Sequence, residues 1–224
     1  METLGPEVTG FLPAHLADSV LFDDRADAGR RLAHALPDEL EQPVVLGTTL
    51  GGVEIGAEIA SALHAPLDIV VVAPVRRSPE HEYAVGAAAP GDAVYLSRPE
   101  ALSSAQSVVA VARAHREAAH LDAILHEHLR RPTLEGHDLV LVDEAITTGA
   151  TMAAAIAWAR GKEPRHIVAA VPVAAAAGLR LVRELADRVV CLYEFEVIGS
   201  RAVWFGDFPR LEDDEVRRLL EATR

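Results

Sequence analysis

Short apolar segments alternate with longer segments of helical periodicity along most of the 224-residue chain. Several of the apolar segments are continuously apolar, which is typical of strands buried on both faces of a parallel sheet. The predicted strands span residues 43–46, 68–72, 93–96, 139–142, 167–173 and 189–193, and the predicted helices span residues 25–35, 53–63, 101–129, 150–160 and 174–185. This succession predicts an α/β fold in which helices cover both faces of a mostly parallel sheet.

The pattern continues without an internal repeat, a low-complexity tract or a linker rich in glycine and serine. Such features would mark a boundary between independently folded units. We therefore expect one domain over residues 1–224, with a core at about residues 20–195 and a small cap built from the two terminal segments.

Composition narrows the classes of function. The formal charge of −13 and the lack of a Lys/Arg run argue against a nucleic-acid partner. No apolar stretch approaches the ~18 residues of a membrane span, and residues 1–4 lack the basic start of a secretory signal. The single cysteine, Cys191, lies in an apolar run, which predicts a core position and a reducing compartment. We expect a cytoplasmic protein without a membrane partner.

One strand leads directly into a loop whose residue types suit an anion and a sugar. After the apolar residues 139–142 come the acids Asp143 and Glu144, and small hydroxyl residues then open a helix over Thr147 to Thr151. Free backbone N–H groups at a helix N-terminus bind a phosphate dianion, and Gly149 allows a close approach. Two adjacent carboxylates are costly unless they accept hydrogen bonds, for example from the vicinal diol of a ribose. The loop therefore predicts a site for one sugar phosphate.

A second glycine-rich turn follows the first predicted core strand. It consists of residues 47–53, GTTLGGV, and again opens a helix. The register of a dinucleotide-binding fingerprint is missing, and so is the Gly-Lys-Ser/Thr of a Walker loop. The turn is a candidate for a second anion contact of another kind.

The first loop, with its two acids, two apolar residues and Thr-Thr-Gly-Ala-Thr, resembles the signature of type I phosphoribosyltransferases. Residues 22–29 (FDDRADAG), 82–87 (EYAVGA) and 204–209 (WFGDFP) are similar to a bacterial subfamily of predicted phosphoribosyltransferases without an assigned acceptor base. The resemblance covers most of the chain. It implies a Rossmann-like core of the type I phosphoribosyltransferase kind.

The resemblance also implies an activity: Mg²⁺-dependent transfer of the phosphoribosyl group of 5-phosphoribosyl 1-pyrophosphate (PRPP) to a nitrogenous base, with release of pyrophosphate. Asp143 and Glu144 would be the catalytic pair that holds the ribose diol, and Asp143 is also a candidate contact for the Mg²⁺ that PRPP carries. The implied partners are PRPP, an acceptor base and a second copy in a homodimer. The implied ribose 5-phosphate site comprises Asp143, Glu144, Ala145, Ile146, Thr147, Thr148, Gly149, Ala150 and Thr151.

The second turn corresponds to the pyrophosphate loop of that family, with one departure. Relatives carry an arginine where this chain has Leu50, so a charged donor to pyrophosphate is missing and its binding should be weaker. Arg76 and Arg77 could compensate, although a solvated charge pair is an equal alternative. The implied pyrophosphate site comprises Thr48, Thr49, Leu50, Gly51, Gly52, Arg76 and Arg77.

Two rival functions keep the same fold. The first is a non-catalytic module that senses PRPP or a nucleotide, for which Leu50 is the best argument. The second is an enzyme that acts on another ribose phosphate and has no use for a pyrophosphate arginine.

Other residue types give weaker signals. Four histidines of one predicted helix lack the spacing of a metal site and indicate a solvated helix face. No Gly-x-Ser-x-Gly nucleophile turn is present. A cluster of aromatic residues could stack on a base or belong to the core. The histidines are His115, His120, His126 and His128, and the aromatic residues are Tyr193, Phe195, Trp204 and Phe205.

Overall fold

A computed structural model describes residues 10–11, 20–78, 80 and 83–223. Most of the N-terminal segment, and Glu82 of the second similar stretch, lie outside these residues. The strands are β1 (Gly10–Phe11), β2 (Val44–Gly47), β3 (Leu67–Ile69), β4 (Ala73–Arg76), β5 (Ala84–Ala88), β6 (Val94–Leu96), β7 (Asp138–Val142), β8 (His166–Ala175) and β9 (Arg188–Phe195). The helices are α1 (Arg25–Ala35), α2 (Leu50–Leu63), α3 (Ser104–Leu125), α4 (Ala150–Arg160), α5 (Ala176–Leu185) and α6 (Asp213–Ala222).

The main sheet has six strands in the order β1-β9-β8-β7-β2-β3, and neighbouring strands are parallel. Strand β7 is central and all of its residues are buried. Val140 and Val142 pack into the core layer that includes α1 and α2, whereas Leu139 and Leu141 pack against α4 and α5. The predicted parallel core with helices on both faces is confirmed. A strand that is apolar at every position requires such cover on both sides.

A second sheet was not predicted. Strands β4, β5 and β6 form an antiparallel sheet of their own, so the prediction that residues 93–96 belong to the parallel sheet is wrong. The reason is the short connection between β5 and β6, which Ala89 N closes by donating to Ala93 O at 2.9 Å. Parallel neighbours need a crossover of a dozen or more residues, so a turn this short permits only antiparallel pairing. Of the predicted strand at residues 68–72, only residues 68 and 69 lie in β3; residues 70–72 connect β3 with β4, where the chain passes from one sheet to the other.

The terminal segments lie along one edge and over the carboxyl end of the main sheet. Strand β1 pairs with β9, and Phe22 forms an isolated parallel bridge with Phe205. Helix α6 packs against α2. The C-terminal segment between β9 and α6 thereby reaches the start of α1, which lies beside the first predicted loop.

His126 corrects the expectation of a solvated histidine face. It is the C-cap residue of α3, its side chain is buried, and its Nε2 atom lies 2.7 Å from Asp68 Oδ1. Its Nδ1 atom lies 3.3 Å from Asp122 Oδ1. Burial opposes the charge, but hydrogen bonds and charges from the two carboxylates outweigh it and raise the pKa of His126 to about 9. The spacing argument failed because it considered one helix and could not include Asp68 on β3.

The other histidines of that helix differ from one another. His115 is half-buried and its Nδ1 atom lies 2.8 Å from Ala89 O, whereas His120 and His128 are exposed. Within the described residues we found no group of three or more His, Cys, Asp or Glu side chains that could hold a metal ion. None of the helices in this part of the chain is both long and apolar enough to cross a membrane.

Candidate functional site

The two predicted loops meet at the carboxyl ends of β2 and β7, which are neighbours in the sheet. Thr48 N donates to Val142 O at 2.8 Å, and the Thr49 hydroxyl donates to Asp143 Oδ1 at 3.0 Å. Thr49 is also the N-cap of α2, where its Oγ1 atom accepts from Gly52 N at 3.0 Å. One threonine therefore connects the acid pair to the start of the second helix. Ligands of open parallel sheets bind at this edge.

Both carboxylates of the acid pair are buried, Asp143 at 3% and Glu144 at 6% exposure. Asp143 Oδ1 also accepts a hydrogen bond from Glu144 N at 2.8 Å. Glu144 Oε1 accepts from Arg25 Nε at 2.6 Å, which is the distance of a charge-assisted hydrogen bond. The Oδ1 atom of the first acid therefore accepts two hydrogen bonds from neutral donors, and a buried guanidinium forms an ion pair with the second acid.

Arg25, the first residue of α1, is a site residue that sequence reasoning missed. Its Nη1 atom donates to Pro209 O at 2.9 Å and to Glu54 Oε2 at 3.3 Å, and its guanidinium lies 3.8 Å from the centre of the Phe208 ring. Burial raises the pKa of the Glu54 carboxyl, and the charge of Arg25 acts in the opposite direction. The available signal was that two buried acids require a cation. Nothing local in the sequence says that the cation lies 119 residues from Glu144.

The predicted phosphate segment forms the N-terminus of α4. Gly149 is the N-cap residue with φ +81°, and Thr147 and Thr148 are exposed beside it. A Cβ atom at Gly149 would lie 2.9 Å from Gly178 O, so the position requires glycine both for its backbone angle and for its neighbour. A small recess is lined by Asp143 and residues 145–152. The backbone N–H groups of the first helical turn have no partner within their own helix and face this end of the sheet.

Ala145 and Ile146 hold this segment in position through the backbone. Ile146 N donates to Val173 O at 3.0 Å, and Ala175 N donates to Ile146 O at 2.7 Å. This pairing extends β8 to Ala175, two residues into the predicted helix at 174–185. The loop between the acid pair and the phosphate segment is therefore fixed to the sheet before any ligand arrives.

A larger cavity of about 540 Å³ lies beside the acid pair. Its volume is in the range typical of small-molecule sites. It connects the second loop with Arg25, Glu144 and the segment that precedes α6. The lining residues are Arg25, Thr49, Leu50, Gly51, Glu144, Phe208, Pro209, Arg210, Leu211, Glu212 and Asp213.

The second loop differs in detail from the expected pyrophosphate site. Gly51 is packed against the acid pair, since a Cβ atom there would lie 1.9 Å from Glu144 Oε1. Gly52 belongs to the implied pyrophosphate site, but its N–H donates to the N-cap hydroxyl of Thr49 at 3.0 Å. Thr48 is fully buried, and its hydroxyl has no hydrogen-bond partner among the described residues. Close packing of the two loops explains both glycines without a ligand.

Arg76 and Arg77 lie away from this lining. Arg76 ends β4, and its carbonyl oxygen accepts from Arg113 Nη2 at 2.5 Å, while Arg77 is exposed. Neither residue is among those that line the larger cavity. Their contact with pyrophosphate stays a prediction.

Mg²⁺ prefers hard oxygen ligands, and the carboxylates of Asp143 and Glu144 would be the residues of this loop that could contact an ion carried by PRPP. Asp143 Oδ1 already accepts two hydrogen bonds. Two carboxylates engaged in this way do not form a complete octahedral cage. They suit an ion that arrives bound to a phosphorylated sugar.

The remaining candidates belong to the core. Cys191 is buried in β9, and burial raises the pKa of its thiol to about 12, which excludes a nucleophilic thiolate at neutral pH. Phe195 and Trp204 are stacked with ring centroids 6.1 Å apart and are almost fully buried. Core packing, rather than stacking on a base, accounts for these aromatic residues.

A parallel sheet with a buried acid pair and a helix N-terminus at its carboxyl edge defines an α/β protein with a candidate anion site at that edge. Residues 20–204 match the model of the phosphoribosyl transferase domain, and the chain belongs to this family. It is 33% identical over 216 residues to provisionally named phosphoribosyl transferases from two strains of Mycobacterium tuberculosis. That alignment covers 90% of this chain and 46% of each relative, so the chain spans about half their length.

Protein TT1426 from Thermus thermophilus is a solved structure with the same fold. It superposes with a TM-score of 0.76 at 31% identity, and the match covers 90% of this chain and 98% of that chain. A match of this extent shows that the two proteins share a fold over most of this chain.

Proposed function

We propose that the chain binds the ribose 5-phosphate part of PRPP along Asp143 to Thr151 and transfers the phosphoribosyl group to a nitrogenous acceptor. The observation that carries this proposal is the hydrogen bond of 3.0 Å between Thr49 and Asp143. It joins the acid pair to the N-terminus of α2, at the sheet edge where the backbone pairing of Ile146 also anchors the segment that leads into α4. Membership of the phosphoribosyl transferase domain family supports the reaction type.

The proposed chemistry is a substitution at the anomeric carbon of the ribose. The bond from this carbon to the pyrophosphate oxygen breaks and its electron pair leaves with pyrophosphate, while a lone pair of the acceptor nitrogen forms the new bond. Asp143 and Glu144 accept hydrogen bonds from the 2′- and 3′-hydroxyls and orient the ring. The first turn of α4 holds the 5-phosphate, and Mg²⁺ bound with PRPP neutralises charge on the leaving group.

Release of pyrophosphate from PRPP with Mg²⁺ tests this proposal. Purine, pyrimidine and pyridine bases are offered in turn, and one class is expected to support release. Asp143→Asn should reduce the rate by about tenfold or more, since it removes a charge-assisted contact to the sugar. Arg180→Gln, an exposed charge change on α5, is the control and should leave the rate unchanged. Absence of release with every base contradicts catalysis.

A non-catalytic sensor of PRPP or a nucleotide is the second candidate, and Leu50 favours it. The side chain is apolar where a charged donor would assist the departure of pyrophosphate. A sensor would bind PRPP tightly and release no pyrophosphate with any base. The same assay, combined with a binding isotherm, therefore separates the two candidates.

A further inference from the structure

The larger cavity has an uneven distribution of charge. Among the residues that line it, Arg25 and Arg210 carry positive charge, and Glu144, Glu212 and Asp213 carry negative charge. Arg25 is buried and engaged with Glu144 at 2.6 Å, so its charge is already balanced inside the protein. Arg210 is the remaining guanidinium of this lining that can meet an incoming anion.

Arg210 itself is held loosely. Its side chain is 90% exposed, and its Nε atom lies 3.7 Å from Glu212 Oε1, beyond normal hydrogen-bond distance. An exposed ion pair of this kind contributes little to stability, so an anion can replace the carboxylate at small cost. A guanidinium can donate two parallel hydrogen bonds to phosphate oxygens.

The backbone that carries Arg210 is fixed at the edge of the cavity. The preceding residue, Pro209, accepts the hydrogen bond of 2.9 Å from buried Arg25. The Phe208 ring stacks on Phe205 with centroids 4.9 Å apart and covers the Arg25 guanidinium. Arg210 is therefore an exposed side chain next to an anchored backbone segment, in the lining that it shares with the N-terminus of α2.

The loop at that N-terminus has no charged donor of its own. Leu50 is partly buried and packs against the core, and the Gly52 N–H is occupied by Thr49. An anion with two phosphates would find a helix dipole here, but no cation from the loop. Any side-chain cation that joins Mg²⁺ at the pyrophosphate therefore has to come from another element that lines the same cavity.

We propose that Arg210 supplies the cation that binds the pyrophosphate group of PRPP, in place of the side chain at position 50. This inference rests on the proposed function and extends it to the C-terminal segment. Leu50 and Arg210 both line the same cavity, so a cation at either position could contact a group bound in it. The segment that covers Arg25 would then complete the substrate site.

Calorimetric titration of the whole chain with pyrophosphate, PRPP and ribose 5-phosphate tests the proposal. Arg210→Gln should weaken binding of pyrophosphate and of PRPP about tenfold or more, since it removes a charge-assisted contact. Binding of ribose 5-phosphate should stay the same. Leu50→Arg, added to Arg210→Gln, should restore most of the lost affinity. Arg218→Gln is the matched control, because it removes an exposed charge of α6 outside this lining.

The possible failures can be told apart. Equal pyrophosphate affinity of Arg210→Gln and Arg218→Gln overturns the role of Arg210 and leaves the proposed function intact. If the unmodified chain binds ribose 5-phosphate but not pyrophosphate, the role of Arg210 is likewise overturned and the proposed function stays intact. A chain that binds none of the three ligands contradicts the proposed function and this inference together.

Discussion

Gly51→Ala tests how closely the second loop and the acid pair are packed. The added Cβ atom would lie 1.9 Å from Glu144 Oε1 and 2.2 Å from its Cδ atom. Non-bonded atoms require about 3.5 Å, so the carboxylate has to move by about 1.5 Å. The Arg25–Glu144 contact would then open from 2.6 Å to a distance at which no hydrogen bond forms.

The loss of unfolding free energy caused by Gly51→Ala can be bounded. Disrupting a buried ion pair costs about 3–5 kcal/mol when one partner is removed, and less when both charges remain and relax. Alanine in place of glycine within a helix returns up to about 1 kcal/mol. We expect a net loss of about 2 kcal/mol, which corresponds to a fall in Tm of roughly 4–8 °C for a chain of this size.

The Tm of Gly51→Ala is compared with that of Gly56→Ala, a control substitution in the same helix. The nearest atoms to a Cβ atom at Gly56 would be side-chain carbons of Leu67 and Val45 at 3.2 Å and of Val142 at 3.9 Å, so Tm should change by about 2 °C or less. In a Glu144→Ala background the penalty of Gly51→Ala should largely disappear, as a double-mutant cycle would show. Equal stability of Gly51→Ala and the unmodified chain would refute the argument.

Three further changes have defined outcomes. Gly149→Ala and Gly91→Ala place alanine at φ +81° and +78°, so each should lose about 1–2 kcal/mol of stability from its backbone angle. Gly149→Ala should lose more, because its Cβ atom would also lie 2.9 Å from Gly178 O, and only this variant should lose phosphate affinity in a titration. The raised pKa of His126 stabilises the folded state fully below pH 6.5, and this contribution, at most about 3 kcal/mol, should vanish as pH rises through about 9. Urea unfolding across that range should show the loss, and His126→Gln should remove it; a flat profile would argue against a charged His126. Thr49→Val should cost about 1–2 kcal/mol of unfolding free energy, since it removes a helix cap, whereas Thr48→Val should be neutral or stabilising because its hydroxyl is buried without a partner in the described part of the chain. Similar losses at both threonines would contradict this account.

The central strand and its loop could be predicted because their signals are local. Strand β7 is apolar at four successive positions, and the acids and small residues that follow have residue types that suit only a few backbone arrangements. The N-terminus of α4 was predicted at the observed residue. The apolar pattern of the strand and the acidic and small residues of the site lie there within one short stretch of chain.

Contacts between distant segments could not be predicted in this way. The cation beside Glu144 comes from residue 25, and the ring that covers it comes from residue 208. Residues 25 and 208 lie in two stretches that resemble the bacterial subfamily, residues 22–29 and 204–209. Neither stretch could be assigned a role in the site, because spacing along the chain does not show which segments are in contact. The antiparallel sheet was missed for a related reason: β5 contains small residues and has no strong alternation of polar and apolar positions.

A crystal structure of the chain with ribose 5-phosphate would show whether the acid pair and the first turn of α4 form one sugar-phosphate site. We expect the phosphate at the first turn of α4, within hydrogen-bond distance of backbone N–H groups between Thr148 and Thr151, and the ribose hydroxyls on Asp143 and Glu144. Sugar phosphate bound elsewhere, with this loop free of ligand, would contradict it.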